Sequence, residues 1–476
     1  MKKTLIALMA LAGVAAAHSI PDGGSAAITT SNSDFRLLYD PTDDDGKVTF
    51  SGNLDLTSAS TASDNLGVWV GPGSGTTAQV SSQSTRIELS GVISGASKLR
   101  LNSYSNQGQG GNAVYVLSNT ANTYSGTVEL GHGSGANAYT QLSLTADSLK
   151  NATLGFHDKN NLILSVEASA SAVALTGGNG NTVVTSNSAD NTLTLTGDGN
   201  YTYKGKIGVG NYINSSIETF STTSTPDRTS TKLNITKTGR GTQTIQGEAQ
   251  LGTVNLNAGK LSLKTGSVTT LNAKAGATFA VDGSLRVASL NASGTGTATV
   301  DFGTSGHINN GTGTVDQKLA MSIAQGTALT FSVTLSDAEI TSLADGTAVS
   351  RTFITTDFIS GVSGEAMGAI TLDVQGVQGY ANGGTLFSVF SDGNHTYYNW
   401  NDVTFTSGAN NAWYATVKDG AVAATLNANT SYLVFSGTAA SGASIKYVSY
   451  LVVPEPTTAT LSLLALAGLA ARRRRK

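Results

Sequence analysis

The chain has 476 residues, a formal net charge of −3, 12% charged side chains, 56 glycines and no cysteine. That length accommodates two or three domains with cores of their own, and the near-neutral balance leaves no basic field for nucleic acid or acidic lipid. Without thiols, disulfides, thiolate metal sites and cysteine nucleophiles are all excluded. Apolar residues make up 39% of the chain, so it is not held open by charge, and its solubility rests on Asn, Ser, Thr and Gly.

The chain opens with MKKTLIALMALAGVAAAHS. Lys2 and Lys3 precede an apolar run from Thr4 to Val14, and Ala15 and Ala17 supply the small residues of an A-x-A site. This order predicts a secretory signal peptide over residues 1–17, removed by signal peptidase after Ala17. The stretch DPTDDDG from Asp40 to Gly46 has two readings: a calcium loop with Asp43 and Asp45 as ligands, or a solvated acidic turn. Pro41 stands where a D-x-D-x-D-G loop needs its first aspartate and no distal glutamate follows, so the turn is the stronger reading. No cofactor is called for.

Residues 18–315 are repetitive. Apolar residues alternate in short runs, such as Leu233 with Ile235, Val254 with Leu256 and Leu261 with Leu263, which is the period of half-buried strands. Gly239, Gly247, Gly252, Gly259, Gly266, Gly276 and Gly283 punctuate them. Short strands with regular turns over such a length predict a solenoid rather than a sandwich. Three recurring texts are visible: SGVISG from Ser90, NTYSGT from Asn122, and NITKTGRGTQTIQG from Asn234. In these texts the region resembles the autotransporter-associated β-strand repeats. The resemblance implies a right-handed parallel β-helix with three faces per coil, in which neighbouring coils bury each other's apolar faces. An autotransporter also needs a C-terminal membrane barrel, and this chain ends in basic residues instead.

From Asp316 the composition shifts toward aromatic residues, predicting a β-rich domain over 316–452, either a β-sandwich or a cap on the open end of the solenoid. Ser336-Asp337-Ala338-Glu339 fits a capping box that starts one short helix, with Asp345-Gly346 as its stop. TLFSVFSD and SYLVFSG read as antiparallel strands. Trp400 and Trp413, each beside tyrosines, have two readings, a platform for stacking sugar rings or sandwich core, and core is favoured because buried aromatics commonly serve that role.

The last segment, 453–476, reads VPEPTTATLSLLALAGLAARRRRK. Pro454, Glu455 and Pro456 enforce an extended entry. The uncharged run from Thr457 to Ala471 would span roughly 22 Å as a helix, against a hydrocarbon core of about 30 Å. Arg472, Arg473, Arg474, Arg475 and Lys476 would keep the end cytoplasmic. The three parts in this order resemble the PEP-CTERM sorting signal of Gram-negative bacteria, also catalogued as an ice-binding-protein C-terminal motif. The resemblance implies transient insertion in the inner membrane, recognition of Pro454 to Pro456 by an exosortase-type enzyme, and passage to the cell surface or beyond.

Candidate chemistry is sparse. His18, His132, His157, His307 and His395 show no metal-ligand spacing, and no G-x-S-x-G elbow precedes a helix. Carboxylates from distant coils can still meet on a β-helix, a pairing that sequence spacing does not reveal. The expected fold is all-β: a parallel β-helix, then a smaller β-sandwich or capping domain, then a short hydrophobic C-terminal helix. The expected function is a non-catalytic, structural or adhesive surface or matrix protein. The alternatives are a carbohydrate-binding or carbohydrate-degrading β-helix with extracellular polysaccharide as partner, and an ice-binding solenoid, suggested by TLTLT from Thr192 but needing a flat threonine ladder over many coils that the sequence does not display.

Overall fold

The computed structural model describes residues 47–56, 85–103, 112–132, 139–213, 228–312, 318–359, 369–391, 393–407, 413–437 and 443–455, apart from residue 104 and with short pieces at 26–27, 36–39, 68–72, 105–106, 109–110, 215 and 226. Among these, the structure is nearly all strand, with one α-helix. The chain divides into two compact units, Met1–Ser267 and Val268–Lys476, the division falling inside the strand Lys260–Lys274.

In the first unit, strands pair in parallel with strands one turn of chain further on, in three rows. In row A, Ile87, Tyr115, Leu142, Leu164, Val184, Ile207 and Ala249 follow one another in register. In row B the column runs Leu101, Leu130, Phe156, Gly177, Tyr203 and Ile245. In row C, Ala170, Leu193, Ile235 and Val254 form one column and Ala172, Leu195, Lys237 and Leu256 the next but one. Apart from Gly177, nearly every side chain in these columns is buried. Parallel neighbours joined without a crossover helix require the chain to return in the same direction after each turn, and this arrangement fits a β-solenoid.

The recurring texts sit where rows meet. In NTYSGT, the Asn122 carbonyl oxygen Oδ1 accepts from Ile93 N at 2.7 Å, one coil earlier. The Tyr124 hydroxyl accepts from Leu99 N (3.1 Å) and directs its proton toward Ser97 O (2.6 Å) and Thr127 O (2.9 Å). Tyr203 repeats the device, its hydroxyl 3.2 Å from Lys206 O. In NITKTGRG, buried Lys237 donates from Nζ to Gly197 O (3.1 Å) and to Gly239 O, closing a corner where the backbone carbonyls have no strand partner. A Cβ on Gly241 would fall well inside contact distance of Gly199 O, so only glycine lets the two coils approach there.

Not every predicted break is one. The strands Thr242–Leu256, Lys260–Lys274 and Thr278–Ser293 run straight through Gly247, Gly252, Gly266 and Gly283. These glycines bend a continuous strand from one row into the next. Gly266, at φ 125°, does so where a Cβ would strike the Ala249 backbone.

In the second unit, Thr278–Ser293 pairs in parallel with three later strands in turn: Phe279 with Val300, Leu285 with Ile308, and Leu290 with Met321. Val300 is followed in register by Phe331, and Phe331 by Leu372. Parallel pairing therefore runs past Asp316 as far as Gln375. Phe302, Phe331 and Phe353 fill the interior here, with ring centroids 4.7 to 5.9 Å apart.

Beyond this, the pairing is mixed rather than purely antiparallel. Ala381–Ser391 lies parallel to Thr430–Gly437 and antiparallel to Asn394–Asn399. The long return through 400–429 is what permits the parallel pair, and it carries part of a second, three-stranded antiparallel sheet of 403–407, 413–417 and 443–444. Tyr447–Val453 is bonded antiparallel on both sides, to Thr430–Gly437 and to Val349–Ile359.

The helix Asp337–Ala344 (α1) starts as its sequence predicts, with Ser336 and Glu339 forming both bonds of the capping box and Gly346 at φ 78° just past its end. Glu339 also accepts from the Tyr450 hydroxyl. Burial raises the Glu339 carboxyl, but the bonds from Tyr450 and Ser336, with Arg351 nearby, hold it below the ordinary value.

Candidate binding faces

Row C presents an ordered polar face. Its inward residues alternate with Ser171, Thr194, Thr236 and Asn255, which follow one another in register on four successive strands. Thr192 and Asn234 form a second column beside them, continued by Thr253, whose backbone N donates to Asn234 Oδ1 at 2.7 Å. Strand geometry sets the columns about 6.6 Å apart and successive strands about 4.8 Å apart. None of these side chains is charged, and all are partly exposed. Among the described residues, the hydroxyls of Ser171, Thr192, Thr194 and Thr253 have no hydrogen-bond partner, while Asn255 Nδ2 lies 3.5 Å from Thr236 Oγ1. Charges stand at its ends, where Asp147 Oδ1 accepts from Ser171 N at 2.7 Å and Asp198 Oδ1 accepts from Arg240 N at 2.6 Å.

Row A differs. Ala113–Leu117, Thr140–Leu144 and Leu162–Val166 are buried along their whole length, on both sides of the strand. The cover comes from the chain itself. Gln141 holds the backbone of Ile213 like a strand edge, accepting from its N and donating to its O, both at 2.7 Å. Arg86 Nε donates to Ser215 O at 2.8 Å. Beneath this arm, Ser165 Oγ and Glu167 Oε1 are buried without partners.

Row B is neutral in its later coils and charged in its earlier ones. Thr202 pairs with Thr244 and Asn200 with Thr242, while Glu129 lies in register with Arg100 and is bridged by Arg100 Nε (2.6 Å) and Lys98 Nζ (3.0 Å). His157, close by, has its pKa lowered, chiefly by burial. Among the described residues no group of three or more His, Asp or Glu is placed to hold a metal ion.

Of the residues singled out in the sequence, Ala15, Ala17, Asp43, Asp45, Pro456, Arg472 to Arg475 and Lys476 lie outside the described residues, as does the apolar run 457–471. Among the described residues no helix is long and apolar enough to cross a membrane. Pro454 is buried at the end of Tyr447–Val453 and Glu455 is exposed. Trp400 is half-buried in a single 3-10 turn, its ring centroid 4.6 Å from both Phe405 and Phe435. Trp413 begins the strand Trp413–Val417, paired with Ser407.

Sequence reading missed the array on row C, because its columns join TLTLT to residues far along the chain. NITK from Asn234 and TVNL from Thr253 were the available signal, visible once their threonines and asparagines are placed in register. No protein-family model matches the chain, and neither a curated protein nor a solved structure matches it.

Proposed function

We propose that this is an exported, non-catalytic protein of the cell surface or extracellular matrix, a right-handed three-faced β-helix with a β-rich C-terminal domain, sorted outward through its Pro-Glu-Pro tail by an exosortase-type enzyme. The single observation that carries a binding or adhesive role is the row C array. Parallel rows with buried columns hold partner-free hydroxyls in fixed positions, which lowers the ordering cost of binding an extended partner. The C-terminal strand Tyr447–Val453 ends at the motif, so removal of everything after Pro456 leaves every described strand in place.

Intact-mass analysis of the exported protein tests the sorting reading. The expected species begins at His18 and ends near Pro454. A species retaining Lys476 at the cell exterior overturns it. Adhesion of cells with and without the protein to a hydrated surface tests the role, and equal adhesion refutes it.

A further inference from the structure

We infer that the row C face binds a neutral, extended, β-linked polysaccharide lying across the strands, with successive sugars seated over successive coils. The inference rests on the surface-protein reading and gives its adhesive face a ligand class.

Three observations lead to it. The face offers a repeated pair of polar groups, Thr192 with Thr194 and Asn234 with Thr236, continued by Thr253 with Asn255. The repeat along the stacking direction is about 4.8 Å, close to the advance of one sugar in an extended β-1,4-linked ribbon. An α-linked, coiled glycan has no matching straight repeat. Next, the side chains of the columns are uncharged, and the carboxylates at their ends, Asp147 on Ser171 N and Asp198 on Arg240 N, suit a neutral polymer and disfavour a polyanion. Lastly, the hydroxyls of Ser171, Thr192, Thr194 and Thr253 are unpaired within the described chain, so sugar hydroxyls meet donors and acceptors that no internal bond must release.

Rows A and B do not compete for this ligand. Row A is covered by the segment gripped through Gln141. In row B, Ala174–Gly177 and Asn200–Tyr203 pair only through Gly177 and Tyr203, and the inserted, buried side chain of Gln243 takes the backbone bonds of Leu175 N and O at 3.0 Å each. That insertion breaks the even spacing a repeating polymer needs.

The test is co-sedimentation of the full chain with microcrystalline cellulose, chitin powder and granular starch. Wild type is expected to bind cellulose or chitin and to leave starch largely unbound. The Thr194→Lys/Thr236→Lys variant should lose at least tenfold in affinity, while Thr202→Lys/Thr244→Lys, with the same added charge on row B, stays within twofold. Circular dichroism of both variants establishes that the strands persist; if Thr194→Lys/Thr236→Lys does not fold, Thr194→Val/Thr236→Val takes its place. Absence of wild-type binding to both β-linked glycans, or equal loss in the two pairs, overturns the inference. Thermal hysteresis that depends on Thr194 and Thr236 without glycan binding also overturns it, in favour of an ice surface. If the mature protein is found at the cell exterior and promotes adhesion but binds no glycan, the ligand class fails and the surface-protein reading stands.

Discussion

Replacing Tyr124 with phenylalanine removes one oxygen and nothing else. That oxygen serves three backbone groups: it accepts from Leu99 N and points its proton at Ser97 O and Thr127 O, all within 3.1 Å. The ring is 1% exposed, so water cannot take its place without rearrangement. Leaving the Leu99 N–H without an acceptor costs about 1–3 kcal/mol and the lost donor bond about 1 kcal/mol more, so Tyr124→Phe should destabilise the first unit by about 2–4 kcal/mol. For a unit of this size, that corresponds to a Tm lowered by about 4–8 °C. Scanning calorimetry of Tyr124→Phe beside Ser125→Ala, whose exposed hydroxyl makes only a 3.5 Å contact, measures it. The sign with pH follows from burial, which raises the Tyr124 pKa above the ordinary tyrosine value of about 10. Stability from the neutral phenol is complete below pH 10 and declines as the pH climbs toward the folded value, and Tyr124→Phe should flatten that decline. A Tm within 1 °C of wild type would refute the assignment of the NTYSGT text to a corner held by one hydroxyl.

Other outcomes follow from corners and caps. Gly241→Ala should destabilise by more than the ~1 kcal/mol gained from a stiffer unfolded chain, because its Cβ meets the Gly199 carbonyl; an unchanged or raised melting temperature would contradict the close approach. Lys237→Ala should cost more than Lys237→Met, about 2–5 against about 0–2 kcal/mol, since methionine keeps the packed stem and sheds a buried charge. Denaturant melts that show the two equally and strongly destabilised would mean the amine bonds to Gly197 O and Gly239 O dominate. Ser336→Ala should cost about 1 kcal/mol in the second unit, read from its urea midpoint. Because the Glu339 pKa is lowered on folding, its share of stability is present above the ordinary carboxylate value and fades as pH falls through the folded one. Glu339→Gln should blunt that acid limb, and an unaltered acid titration would count against the Tyr450 and Ser336 bonds as its source.

What the sequence disclosed was local. The Ser336 to Glu339 box fixes a helix start within four residues, and the alternation at Leu233 and Ile235 fixes a buried side without reference to any partner. Row membership was partly visible through the repeated texts. The row C face was not, because Thr194 meets Thr236 only after a turn of chain whose length varies from coil to coil, as the steps from Ile87 to Tyr115 and from Leu164 to Val184 show. Side chains that replace backbone were also invisible. Gln141 gripping Ile213 and Gln243 gripping Leu175 depend on residues 72 and 68 positions away, and glutamine carries no local mark of such a task. The parallel pairing of Ala381–Ser391 with Thr430–Gly437 escaped for a related reason: alternation reveals which side of a strand is buried, never the direction of its neighbour.

The strand that leads into the Pro-Glu-Pro text has a mechanical consequence. Tyr447–Val453 is hydrogen-bonded along both edges, to Val349–Ile359 and to Thr430–Gly437. A pull applied beyond Glu455 along the strand loads both ladders at once and in shear, so their bonds share the force instead of opening one after another as they would in a peeled edge strand. Any load applied through the chain beyond Glu455 is therefore borne by one of the most firmly seated strands of the second unit.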